Sequence, residues 1–436
     1  MQNVSSLWRR ALVVGAWMGL AFVVGCGTND TLTTPEPSLG NTGTADFSSY
    51  VAIGNSLTAG FQSAALTESF NDYSYPALIA RQVGIDPAAF VQPEIAEPGI
   101  GSYTSQGAGK LRLVSLAPLV IQPVPLTANP ATMLKNATYA KPFNNLGIPG
   151  SLAVEIPTAT SAATSMSRSP FFDIVLRNPA MGNKTALQQA LALDPTFVTI
   201  WLGYNDVLGF ATSGGVSPAA PVPVANVQAA IMSVVMAFRA ADASIVIANI
   251  PPATACPYFT TLKPYLADPT TGVPILVGGN KVYLIGPGGT PLTDNDMVLL
   301  SAKTALESGV GVPTAAGGTG QPLGNQYVLS AAERAQAEAA VDAYNAEIEK
   351  IADGKDCGLV DIHRLFDNIA AEGVTVGGVK LRPKMITGGL FSLDGVHPNN
   401  VGYSIIANEF IKTINTRHHA RIPLVNVAGA VEVAAQ

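Results

Sequence analysis

Apolar residues along this chain follow two different periods. Four short runs, Tyr50 to Ile53, Phe197 to Leu202, Ile245 to Ile250 and Leu359 to Ile362, are apolar at nearly every position and do not alternate. A strand without a polar face must be covered on both sides, so these runs predict a parallel sheet between two helical layers. Between them Val224, Val227, Ile231, Val234 and Phe238 recur at three and four residues, which draws one apolar stripe along a helix. A second helix opens on Ser330-Ala-Ala-Glu333, where serine and glutamate can cap the first turn reciprocally, and it carries Val341, Tyr344, Ile348 and Ile351 on one face. A last helix carries Tyr403, Ile406, Phe410 and Ile414. The expected fold class is α/β, three layers with a central, mostly parallel sheet.

Two stretches show neither period. Residues 85–142 are broken up by prolines, and residues 252–325 contain ILVGGNKVYLI, a hairpin signal around a Gly-Gly-Asn turn. Loops of this length inside a compact domain are functional or form small subdomains. Both are read as insertions that wall or cover an active site.

The N-terminus has a pattern of its own. Trp8-Arg9-Arg10 precedes the apolar run ALVVGAWMGLAFVVG, which ends at Cys26, the layout of a signal peptide. Val23-Val24-Gly25-Cys26 resembles a bacterial lipobox, in which the cysteine is diacylated and becomes the new N-terminus. An uncleaved anchor or an ordinary signal peptide is the competing reading. Residues 27–47 are rich in Thr, Gly, Pro and Asn, the composition of a flexible tether. The expected layout is a lipoprotein signal peptide over 1–25, an acylated Cys26 with its tether over 26–47, one α/β domain with both insertions over 48–416 and a C-terminal tail over 417–436. Gly27 is not the aspartate that retains such proteins at an inner membrane, so the expected location is the cell envelope, lipid-anchored, at the outer membrane.

Composition narrows the remaining choices. The 436 residues are 48% hydrophobic and 12% charged, enough to bury a large core. A net charge of -6 without a basic block argues against nucleic acid. Only four histidines are present, and His418 and His419 sit together near the end, so a general base is sought at His363 or His397. Cys256 and Cys357 would meet an oxidising compartment, but one follows a strand and the other precedes one, which favours two separate thiols over a disulfide.

Three segments carry chemistry. Ser56 in Gly54-Asn55-Ser56-Leu57 follows the first strand and opens a helix, where a hydroxyl is exposed and negative charge is stabilised; a plain turn reads the same way. Asn205 in Gly203-Tyr204-Asn205-Asp206 ends another strand and can aim an amide N–H into the same crevice, or simply form a turn. Asp394 and His397 in Asp394-Gly-Val-His397-Pro are close enough for the carboxylate to orient the imidazole, unless the histidine is a solvated residue of a loop leading into a helix. A rival pair, Asp361 and His363, alternates on a strand and so shares a face; His363 reads there as a satisfied structural histidine.

Taken with Asn145-Leu-Gly-Ile-Pro-Gly150, these segments resemble the four sequence blocks of the GDSL/SGNH hydrolases, in that family's order and over residues 50–414. The resemblance implies the family's flavodoxin-like fold, with Ser56 as nucleophile, His397 as base and then acid, and Asp394 as its orienter. It also implies an oxyanion hole from the N–H groups of Ser56 and Gly150 and the Asn205 side chain. Gly147 competes with Gly150, and Pro149 has no N–H to offer. Asn55 stands where the family has aspartate, and Tyr204 is expected to lean over the site. The implied reaction is acyl transfer from a carboxylic ester through an acyl-enzyme, as in an esterase or lipase, with a small-molecule ester or lipid as substrate and the membrane met through the anchor. No cofactor or metal is expected, since no metal-spaced His/Cys cluster or phosphate loop occurs. Two alternatives stay open: glycan O-deacetylation with the same triad, and a non-catalytic envelope lipoprotein that keeps the fold.

Overall fold

The computed structural model describes residues 41–101, 108–116, 119–126, 128–216, 221–268 and 272–434. The expected signal peptide, Cys26 and the tether up to residue 40 lie outside them. Five strands form one parallel sheet: β1 (Tyr50–Gly54), β2 (Asn145–Gly147), β3 (Phe197–Trp201), β4 (Ser244–Ala248) and β5 (Gly358–Val360), in the order β5-β4-β3-β1-β2. β1 and β3 are buried at all five positions, which is why their sequences are apolar without alternation.

Helices cover both faces. On one side lie α1 (Ser56–Ala59), α2 (Tyr75–Gln82) and the long α7 (Asn400–His418); α7 buries Tyr403, Ile406, Phe410 and Ile414 as its spacing predicts. Across the sheet lie α3 (Asn205–Thr212), α4 (Val224–Ala240) and α5 (Ala331–Gly354), and α4 buries Val227, Ile231, Val234 and Phe238. The Ser330/Glu333 capping box at the head of α5 is formed in both directions. The fold is therefore the expected three-layer α/β/α sandwich. From β1 the chain steps to β2 on one side and then crosses to β3, β4 and β5 on the other. Such a reversal opens a crevice at the carboxyl ends of the strands, and β1 borders it.

Several features depart from the sequence reading. The edge strand β2 was not anticipated, because three residues Asn-Leu-Gly carry no strand signal. Its Gly147 is needed for packing: a Cβ there would lie 2.3 Å from the backbone nitrogen of Ala59. Residues 41–47, expected as the end of the tether, are packed against the fold; Asn41 bridges Arg421, and Phe47 stacks on Phe197 at 4.2 Å. The C-terminal stretch expected as a tail folds back along α7, where Asn408 exchanges hydrogen bonds with Val425 in both directions. Finally, β5 ends at Val360, and Asp361 and His363 belong to the start of helix α6 (Ile362–Glu372) instead of alternating on a strand.

The insertions hold two β-hairpins. Strands Ala108–Leu116 and Leu119–Pro125 pair in the first, which was not predicted because prolines interrupt it. In the second insertion Leu276–Val277 pairs with Asn280–Lys281 around Gly278 and Gly279, both at positive φ, as the Gly-Gly-Asn signal anticipates. That insertion has a small core of its own, built from Leu284, Leu292, Val298, Ala302 and Leu323 with Val328 just beyond it. Among the described residues no helix is long and apolar enough to cross a membrane.

Candidate active site

Ser56 stands immediately beyond the central strand. Gly54 lets the chain pack closely there, since a Cβ would lie 2.0 Å from the Thr58 hydroxyl and 2.7 Å from the Trp201 carbonyl oxygen. Asn55 caps α1: its side-chain oxygen accepts the Leu57 N–H at 3.0 Å. An amide oxygen performs this task as well as a carboxylate does, so the departure from aspartate costs the turn nothing in hydrogen bonding.

The loop ahead of α7 meets Ser56 from a separation of 341 residues. His397 Nε2 lies 2.9 Å from Ser56 Oγ, and His397 Nδ1 lies 3.0 Å from Asp394 Oδ2. Asp394 also accepts the N–H groups of Val396 and His397 on Oδ1, each at 2.8 Å, and that of Ala64 on Oδ2 at 2.8 Å. Burial pushes the Asp394 carboxyl up, but the His397 imidazole and these backbone donors outweigh it and hold the group below the usual carboxylate range. The carboxylate therefore remains ionised beside the imidazole, which fixes a proton on Nδ1 and leaves Nε2 to face the serine.

A second support comes from residues that sequence reading passed over. Ser63 (φ 48°) and Ala64 (φ 60°) both adopt the left-handed conformation, which is costly for residues with a Cβ. The turn so formed lets Ser63 donate to Ser392 Oγ at 2.8 Å while Ala64 donates to Asp394. Phe61 packs beside the His397 ring at 4.9 Å, and Phe171 meets Phe61 edge-on. Positive φ at consecutive non-glycine residues has no sequence signature, which is why this brace was invisible.

Across the crevice lies the turn after β2. Gly150 adopts φ 80°, and neither its N–H nor that of Ser56 is taken by an acceptor among the described residues. Asn205 donates through Nδ2 to the Ser151 carbonyl at 2.9 Å, which uses one of its two N–H groups and leaves the other. Ser169 Oγ donates to the Pro149 carbonyl at 2.6 Å, Glu155 accepts the Leu152 N–H at 2.8 Å, and Asp206 accepts the Ala153 N–H at 3.0 Å. Asp206 is buried with its other oxygen unpartnered, and burial pushes its carboxyl up to about 7, with Glu155 nearby adding to the rise.

Tyr204 is buried, with its hydroxyl against Cys256. Cys256 and Cys357 are both free and buried, one beyond β4 and the other ahead of β5. His363 Nδ1 lies 3.1 Å from both the Ile250 carbonyl oxygen and the Asn345 amide, while Asp361 caps α6 by accepting the Arg364 N–H. No hydrogen bond joins Asp361 to His363. Among the described residues no group of three His, Cys, Asp or Glu side chains is placed to hold a metal ion.

Comparison with known proteins adds a family. The sequence matches the model of the GDSL-like lipase/acylhydrolases over residues 50–410. No curated protein matches it. Among solved structures it is similar to an alpha/beta hydrolase from the metagenome of Lake Arreo, Spain, with 14% identity over 84% of this chain and 94% of that one (TM-score 0.36). A catalytic mutant of an acetylxylan esterase from Geobacillus stearothermophilus gives 13% identity over 84% and 93% (TM-score 0.34). A lipolytic G-D-S-L family protein from Desulfitobacterium hafniense gives 12% over 84% and 98% (TM-score 0.33).

Proposed function

This chain belongs to the GDSL-like lipase/acylhydrolase family and is a carboxylic ester hydrolase; from that premise we propose that Ser56, His397 and Asp394 are its catalytic triad. What carries the reading is the unbroken hydrogen-bonded chain from Ser56 Oγ through His397 to Asp394, with links of 2.9 and 3.0 Å. Ser56 attacks the ester carbonyl as His397 Nε2 takes its proton. The unclaimed N–H groups of Ser56 and Gly150 and the second amide N–H of Asn205 receive the negative charge that develops on the carbonyl oxygen, an effect worth about 3–4 kcal/mol per donor. His397 then returns the proton to the leaving alcohol, and a water activated by the same imidazole releases the acid. Asp394 stays ionised throughout and stabilises the imidazolium.

The apolar flank of Phe61 and Phe171 beside His397 favours an ester with an apolar acyl or alcohol group, and a series of p-nitrophenyl esters of rising chain length measures that preference. We also read Cys26 as the lipidated N-terminus of an envelope-anchored mature chain; the mass of that N-terminus checks it, and an unmodified Cys26 within an intact signal overturns it. For the triad, a fluorophosphonate probe is expected to label the wild type and to leave Ser56→Ala unlabelled. Absence of wild-type labelling under conditions that label an active esterase overturns the assignment.

A further inference from the structure

Neither hairpin takes part in the chemistry, yet both have an unusual surface. Twelve large apolar side chains stand exposed among the described residues, and seven sit on the hairpin segments: Leu113, Val114 and Leu116 on the first, Val273, Ile275, Leu276 and Val277 on the second. Successive side chains of a strand point to opposite faces. Leu276 and Val277, 57% and 66% exposed, therefore expose both faces of the second ribbon, and on the first Leu113, Val114 and Leu116 stand exposed around a β-bulge between Leu113 and Ser115. A protein laid against such a ribbon covers one face and leaves the other wet. A lipid layer into which the ribbon dips covers both.

Charge and position select the same occupant. From Pro98 to Val154 the sequence contains Lys110, Arg112, Lys135 and Lys141 but no Asp or Glu, within a chain of net charge -6. Lys110 and Lys135 pair with Glu97 and Glu68, whereas Arg112 stands exposed on the ribbon opposite Gln122. A basic residue behind an apolar tip complements anionic headgroups. The six residues from Leu111 to Leu116 span about 20 Å, more than the ~5–10 Å by which interfacial elements sink into a leaflet.

Both insertions are also rooted at the catalytic loop. Leu111 donates to the Ser63 carbonyl at 2.7 Å, and Ser63 donates to Ser392 Oγ. The second insertion begins where Tyr258 donates to the Gly395 carbonyl at 2.8 Å. Ser392 and Gly395 bracket Asp394.

We propose that the two hairpins dock the domain on an anionic phospholipid surface, so that the Ser56 site receives its ester from the lipid layer. Docking stands on the hairpins alone; delivery of the ester rests on the catalytic reading above.

The test uses the full chain with Leu116→Trp or Leu276→Trp, mixed with vesicles of phosphatidylcholine with and without phosphatidylglycerol, some carrying brominated acyl chains. Difference spectra against wild type report the new indole alone, whatever else holds the chain at the vesicle. The expected result is blue-shifted emission, at least twofold quenching by brominated lipid, and stronger insertion with phosphatidylglycerol. Water-like emission without quenching, while the protein sediments with vesicles, overturns docking. A blue shift that grows with protein concentration in the absence of vesicles assigns the ribbons to a second copy and also overturns it. In a second arm, Val114→Asp, Leu116→Asp, Leu276→Asp and Val277→Asp are combined. Hydrolysis of a vesicle-dispersed ester is expected to fall at least tenfold while a soluble p-nitrophenyl ester is turned over within twofold of wild type; equal effects on both substrates overturn the link to delivery. If the wild type hydrolyses no ester but the indoles still enter the bilayer, the catalytic reading fails and docking stands.

Discussion

Two places in this molecule hold an aspartate and a histidine within three residues of each other, and their fates are opposite. At Asp394 and His397 a loop with Gly395 at φ 73° turns both side chains toward each other and toward Ser56. At Asp361 and His363 the chain enters a helix, so Asp361 turns back to cap it and His363 is held by the Ile250 carbonyl and Asn345. The residue types are the same. What separates them is the local backbone and what the fold brings opposite: the first pair faces a serine at the carboxyl edge of the sheet, and His363 of the second faces Asn345 on α5 and the Ile250 carbonyl beyond β4.

The comparison breaks most visibly in the histidines. His397→Ala is expected to lower kcat/KM on a soluble ester by about 10⁴-fold or more, as loss of the base does in such triads, whereas His363→Ala stays within about threefold. The reverse ordering would mean that the wrong pair had been assigned. The aspartates differ next. Asp394→Asn leaves the shape of the loop but not its charge, and a loss on the order of 10³–10⁴-fold in kcat is expected. Asp361→Ala is expected instead to cost stability, about 1 kcal/mol for a lost helix cap, with activity nearly unchanged.

The last effect concerns stability against pH, not activity, and a third aspartate sharpens it. Asp394 is held below its ordinary value, so its contribution to stability is present at neutral pH and is lost as pH falls through its folded pKa. Asp206 has the opposite sign. Its folded pKa of about 7 exceeds the unfolded value, so the folded chain binds the extra proton, and stability declines as pH rises from about 4 to 7. Three pKa units correspond to about 4 kcal/mol at most. In urea unfolding at pH 5 and pH 8, Asp206→Asn should remove this decline; parallel profiles for wild type and variant would contradict it.

Much of this was legible beforehand, for reasons that differ by residue. Strands such as Phe197–Trp201 are buried on both faces, and only Thr199 interrupts that apolar run. The stripes of α4 and α7 are dictated by helical pitch. Ser330 and Glu333 announce a helix start through contacts only three residues apart. The candidate site was legible because its blocks lie at strand ends, where the sequence changes from apolar to Gly, Asn, Ser and Asp. By contrast, β2 is too short to have a period, and the Ser63–Ala64 turn is held by Ser392 and Asp394, which lie more than 300 residues further along.

The chain's own residues, read by period and by local chemistry, determined the three-layer architecture, the helix starts, the family and a short set of candidate side chains. They could do so because each depends on neighbours a few positions away. Only the tertiary structure decided which histidine meets Ser56, that Asn55 serves as a cap, that Tyr204 is buried and that two hairpins leave apolar faces in water. Each of those depends on what a distant segment places opposite, and spacing along one chain does not contain that distance.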